Sequence, residues 1–262
     1  MSCPSPAERA RTLVQGRLPG LLFLEGAAAP LPVRHGTGRS GQPLLLVPVG
    51  GRLYLSLRTH RGPVAPGAVL RVDDVTPSAG APSLGRVRVS GRLHAVPPSE
   101  AAAAALEFAE ANPLPSLLGV GTDAVLYRLL VDGVGLETET GGGPVDTVAY
   151  LTAEPDPLHE AERDLLLDLA DHHGEQLEPW FRRALHGAGI HADHPRAVRL
   201  DRYGIVVDTG RPLPGRRRWV RLEFTHPLDT VEDLAQLLHP VLFHQVSEFA
   251  TPCCDHRHAP EP

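Results

Sequence analysis

The amino-acid sequence predicts an α+β protein of two domains, and three observations carry that reading. Short apolar or alternating segments recur through the first half around a single alanine-rich helix, the pattern of a small β-barrel. The second half orders a helical region, three short strands and a closing helix. Between the halves, Gly141-Gly142-Gly143-Pro144 and Glu154-Pro155-Asp156-Pro157 can continue neither a helix nor a central strand. A length of 262 residues agrees, at roughly 150 residues per domain. The expected boundaries are a barrel over residues 1–140, a linker over 141–156, a small α+β domain over 157–246 and a flexible tail over 247–262.

In chain order, residues 7–14 have weak helical character, residues 20–24 form a short apolar run, and a Gly/Pro-rich loop extends to Pro43. Leu44-Leu45-Leu46-Val47-Pro48-Val49 is a continuous apolar run of buried-strand length, and Gly50-Gly51 signals a hairpin. Leu53, Leu55 and Leu57 then alternate with Tyr54 and Ser56, which predicts another strand. Residues 68–72 and 84–95 follow, the second with Val87, Val89, Gly91 and Leu93 set against Arg86, Arg88, Ser90 and Arg92, so that one face is buried and one wet. Ser99 precedes the helix at 100–111, Pro113 stops it, and residues 125–131 read as the closing strand.

In the second half, Leu158, Ala161, Leu165, Leu166 and Leu169 recur at helical spacing with acidic residues between them. A second helix is expected over residues 175–185, strands over 197–200, 204–207 and 219–224, and a last helix over 231–243 capped by Thr230.

Composition excludes several chemistries. All 25 basic residues are arginine, so phosphate-loop, Schiff-base and general-base lysines are absent. A net charge of −6 without a basic face argues against nucleic acid. No run approaches the ~20 apolar residues that cross a bilayer, and the first residues lack a basic and apolar leader. The expectation is a cytoplasmic protein with no membrane partner. Three cysteines, Cys3, Cys253 and Cys254, form no disulfide framework. Gly36-Thr37-Gly38-Arg39-Ser40-Gly41 has dinucleotide-loop spacing but leads into a strand instead of a helix, so it offers no helix N-terminus to a pyrophosphate. Zinc-protease, zinc-ribbon and serine-hydrolase motifs are missing, and no catalytic residue is assigned.

The segment 158–238 resembles the small C-terminal domain that follows a flavin-reductase-like split barrel in haem-utilisation proteins, within the pyridoxamine-phosphate-oxidase-like superfamily. The resemblance rests on Asp168-Leu169-Ala170-Asp171-His172-His173, Leu200-Asp201-Arg202-Tyr203-Gly204, Arg221-Leu222-Glu223-Phe224 and Asp229-Thr230-Val231-Glu232-Asp233-Leu234. Where relatives read His-Met-Asn-x-Asp-His on the helix, this chain keeps only His173. The first half resembles the split barrel through its strand order and helix. Ser56 and His60 fall loosely where the barrel's serine and histidine lie.

The resemblance implies an N-terminal FMN-binding-like split β-barrel, a homodimer formed through the barrel, and flavin mononucleotide or haem as cofactor. The expected role is an accessory, haem-binding protein; a flavin-dependent oxidoreductase and a ligand-free interaction module are the alternatives. For a flavin phosphate the candidates are Arg58, His60 and Arg61. For haem they are His173, His256 and His258, since some relatives ligate haem from a C-terminal loop. Cys253, Cys254, His256 and His258 are the side chains suited to a transition metal. The residues themselves read His173 as a structural histidine on the inward stripe of its helix, and the motif around Asp201 and Arg202 as an ion pair that fixes the domain.

Overall fold

The computed structural model describes residues 3–60, 64–210 and 218–243. The chain separates into two compact units. One comprises Ser5–Val75 and Ser83–Pro155; the other gathers Thr76–Pro82 with Asp156 onward.

The first unit opens with α1 (Pro6–Val14), whose Ser5 and Glu8 form a reciprocal capping box. Strands β1 (Gly20–Leu24), β2 (Leu31–Thr37) and β3 (Pro43–Pro48) lead to α2 (Arg52–Thr59), β4 (Gly67–Asp73) and β5 (Arg86–Ala95). Helix α3 (Ala101–Ala111), β6 (Ala124–Thr138), β7 (Gly141–Val145) and α4 (Thr147–Thr152) complete it. Every named strand pairing is antiparallel, in the order β3-β2-β1-β4-β5-β6, and β6 returns to β3 with Leu45 opposite Tyr127. Six strands thus close a barrel, which removes both sheet edges.

Leu22, Leu45, Leu70, Val87, Val89 and Leu129 belong to one buried cluster with α1 and Tyr150. Leu44, Leu46 and Leu126 form another with Ala104 and Phe108 of α3. The uninterrupted Leu44-Leu45-Leu46-Val47 run is explained by this division, because β3 buries both faces against different partners.

Four sequence expectations need correction here. Residues 31–37, taken as loop, are β2; Leu31, Val33 and His35 alternate with Pro32 and Arg34, but the prolines and glycines around them masked the period. The stretch from Leu53 to Leu57 is helix α2, not strand: Leu53 and Leu57 lie one helical turn apart and pack on the barrel cluster, while Leu55 is exposed. A Leu-x-Leu-x-Leu pattern satisfies either period over so short a span. The closing strand is twice as long as read, because β6 pairs β3 through its first half and β7 through its second. Finally, residues 141–155 are not a bare linker, for they hold β7 and α4, and Tyr150 is fully buried.

In the second unit, α5 (Glu162–Gly187) is one helix of 26 residues instead of two, running through Gly174 and Pro179. Leu166, Leu169, Leu177, Trp180, Phe181 and Leu185 bury a continuous stripe along it, and that burial outweighs the hydrogen bond lost at the proline. Strands β8 (Arg196–Asp201), β9 (Gly204–Asp208) and β10 (Trp219–Glu223) form an antiparallel sheet in the order β10-β9-β8. Helix α6 (Val231–Phe243) packs on α5 and covers the same core. The segment Thr76–Pro82 is bound into this unit by hydrogen bonds from Ser78 to the Val198 carbonyl, from Arg196 to the Ala79 carbonyl and from the Trp219 indole to the Gly80 carbonyl.

Candidate functional site

Arg58 and His60 share the C-terminal end of α2. The Arg58 guanidinium lies 6.0 Å from the centre of the Tyr54 ring, and His60 Nε2 is 3.0 Å from the Val64 carbonyl. On β6, burial raises the pKa of Tyr127, the Tyr54 phenol adds to this, and the Arg58 charge opposes it. Tyr54 and Tyr127 both pack against the barrel cluster, and Arg58 lies over the Tyr54 ring. Cations are favoured at a helix C-terminus whatever else they do. Arg61, Cys253, Cys254, His256 and His258 lie outside the described residues.

His173 belongs to the second unit, on α5. Its side chain is 25% exposed, its Nε2 lies 4.0 Å from Asp168 Oδ2, and its ring meets Phe243 of α6 edge-on at 6.4 Å. His239 lies 4.8 Å from the same Phe243 ring, with the planes tilted by 40°. The histidine that was read as an inward structural group is therefore half-buried, between α5 and α6, in an aromatic setting with a carboxylate at its edge.

Residues 200–204 build a tight hairpin in which Asp201 pairs with Gly204 across the turn. Asp201 and Arg202 do not pair with each other, as the sequence suggested. Asp201 takes Arg221 of β10, and Arg202 takes Asp229 before α6, so one turn ties the sheet to both neighbouring segments.

Beneath that turn lies a buried polar cluster that no motif announced. Glu162 and Arg199 are both almost fully buried and joined by two hydrogen bonds of 3.1 Å. The Glu162 carboxylate also accepts from the Leu200 amide, and Arg199 donates to the Pro82 carbonyl. Burial would raise the Glu162 pKa, but the nearby His159 ring, the Arg199 guanidinium and the Leu200 amide together hold it below the ordinary value. Asp156 is pushed the other way, up to about 7, first by burial and then by the charges of Asp201 and Glu162. Its Oδ1 accepts from the amides of Leu158 and Arg202. The only sequence signal for this cluster was the acidic spacing of the helix, which any solvated helix face shares.

In the barrel unit, His35 is 1% exposed and neither ring nitrogen has a hydrogen-bond partner; burial lowers its pKa to about 4. Arg11 is likewise buried, donating to the carbonyls of Gly38 and Ala153 with its guanidinium 5.6 Å from the Tyr150 ring centre. Among the described residues, no group of three or more His, Cys, Asp or Glu side chains could hold a metal ion. None of the described helices is long and apolar enough to cross a membrane.

No protein-family model matches the chain, and no curated protein does. Solved structures do. A haem binding protein from Mycobacterium smegmatis superposes with a TM-score of 0.66 at 20% identity, over 92% of this chain and 98% of that one. The fold is an α+β split-barrel fold. A protein of unknown function from Agrobacterium tumefaciens matches more loosely, with a TM-score of 0.41 at 17% identity over 92% of this chain and 100% of its own. An FAD binding protein from Mycobacterium smegmatis covers 54% of this chain and 97% of its own, with a TM-score of 0.36 and 15% identity.

Proposed function

We propose that this split-barrel chain is a haem-binding protein with an accessory, non-catalytic role, acting as a homodimer through the barrel. The observation that carries the reading is the shared fold with the M. smegmatis haem binding protein, which extends over both units instead of the barrel alone.

The residues fit such a ligand in kind. Haem iron takes an imidazole, and its face takes aromatic or apolar side chains. His173 offers an imidazole beside Phe243, while Asp168 stands 4.0 Å from it and bonds the neighbouring His172 instead. The competing imidazoles are His256 and His258 of the tail, with Cys253 and Cys254 as thiolate alternatives. When bound, the haem would supply an iron centre; the protein's part is to present the ligand and exclude water from it.

A second reading, a flavin-dependent oxidoreductase, draws on the Tyr54, Arg58 and Tyr127 grouping. Aromatic rings suit an isoalloxazine and Arg58 suits its phosphate, with His60 and Arg61 beside it in sequence. Placement at the negative end of α2 weakens that phosphate site.

Titration of the purified protein with haemin, with flavin mononucleotide in parallel, separates the readings. A saturable Soret shift near one haem per chain is expected, reduced in His173→Ala or, if the tail ligates, in the double variant His256→Ala/His258→Ala. Saturable flavin binding without a haem response would overturn the first reading in favour of the second, and no response to either would leave an interaction module.

A further inference from the structure

Helix α5 ends in a Schellman turn. The Gly189 amide donates to the His186 carbonyl and the Ile190 amide to the Leu185 carbonyl, both at 2.9 Å, with Gly189 at φ +72° where only glycine is relaxed. This turn reverses the chain so that His191, five residues after His186 and outside the helix, comes to lie beside it. The two ring centres are 5.5 Å apart, with the planes tilted by 53°. Both rings are exposed, and both line an open groove of about 660 Å³.

That spacing, which ordinary ring pairs also show, leaves room for a metal ion shared between the two rings. Imidazole nitrogen binds zinc at about 2.0–2.1 Å, which sets each ring centre about 3 Å from the ion and two such rings on a tetrahedral ion about 5 Å apart. The groove's charges are balanced before any ion enters, since Glu178 and Asp193 offset Arg182 and Arg183, and Glu178 holds Arg182 at 2.6 Å. A cation is further favoured at the negative end of a helix of 26 residues.

We propose that His186 and His191 form a two-imidazole site for a divalent transition ion, copper or zinc, completed by water from the open groove. With two protein ligands the site is labile, and copper binds it more tightly than zinc, following the general order for nitrogen ligands. This site is separate from the haem reading and stands or falls without it.

Because Cys253, Cys254, His256 and His258 can also take metal, the test uses the full chain with all four replaced by alanine, titrated with Zn²⁺ and Cu²⁺ by calorimetry. One saturable ion is expected in that background, copper tighter. Adding His186→Ala or His191→Ala should weaken it at least about tenfold, with the circular dichroism and urea midpoint unchanged because both rings are exposed. A four-alanine protein that binds no ion, or affinity within about twofold after His186→Ala, overturns the site.

Discussion

Glu162 and Arg199 face each other through two parallel hydrogen bonds of 3.1 Å in the interior of the second unit, each side chain about 5% exposed or less. A buried pair of this kind gains little over an apolar pair, but losing one partner leaves a charge with no water to replace it. Glu162→Ala should therefore cost about 3–5 kcal/mol of stability, read as a drop in the urea midpoint at constant slope. Glu162→Leu combined with Arg199→Met should recover most of that loss. If the double variant is as unstable as the single one, the pair's value lies in its bonds to Leu200 and Pro82 rather than in mutual neutralisation.

His35 makes the barrel acid-sensitive. Its folded pKa of about 4 lies below the ordinary 6.5, so the unfolded chain binds the extra proton first and stability falls as pH drops from 6.5 to 4. At about 1.4 kcal/mol per pKa unit the full loss is about 3 kcal/mol. His35→Leu removes two unpartnered nitrogens and nearly preserves volume, so its stability should be within about 1 kcal/mol of the parent at pH 8 and exceed it at pH 4.5. Urea unfolding at the two pH values decides the matter. A parent protein with no loss between them would mean that the ring finds a partner when it is protonated.

Much of the architecture was legible because burial leaves a period behind. The two-faced run at Leu44, the alternation from Val87 to Leu93 and the stripe from Leu158 to Leu169 all mark residues found buried, save the partly exposed Ala161 and Leu165. Helix α2 departs from its expected strand because the five residues from Leu53 to Leu57 cannot separate a period of 2 from one of 3.6, and β2 because Pro32 and Gly36 mask its alternation. The buried polar cluster was invisible for another reason. Glu162 reaches Arg199 across 37 residues, and a single acid on a helix carries no sign of which face it points from. The His186 and His191 pairing has a faint signature, His-Gly-Ala-Gly-Ile-His, in which Gly189 marks the helix stop, yet only the turn's geometry sets the rings side by side.

Asp156 works in the opposite sense to His35. Burial and the charges of Asp201 and Glu162 raise its folded pKa from 3.8 to about 7, so its favourable contribution is complete below pH 3.8 and is lost as pH rises through 7. Asp156→Asn keeps an oxygen to accept from the Leu158 and Arg202 amides and removes the charge. It should stabilise the protein by about 1–3 kcal/mol at pH 8, less than the full shift implies because the carboxylate keeps some solvent, and by almost nothing near pH 4. Paired unfolding curves at both pH values check this. Destabilisation at pH 8 would show that the ionised acid is needed by its cationic neighbours.

Gly91 sits where β5 and β6 slip register, with the shift falling between Ser90 and Gly91. A Cβ on Gly91 would stand 2.0 Å from the Leu130 carbonyl oxygen, a backbone atom that cannot swing aside. The alternation that put Gly91 on the buried face was correct, and the absence of a side chain is what lets the two strands approach and bend at the bulge. Gly91→Ala should therefore cost at least about 2 kcal/mol, while Ser90→Ala, which gives up hydrogen bonds to Asp132 and the Gly133 carbonyl near the surface, should cost about 1 kcal/mol or less. Thermal unfolding of the two variants side by side measures the difference. Equal losses would mean that β6 can shift outward to admit the methyl group, and that the barrel's curvature at this point does not depend on glycine.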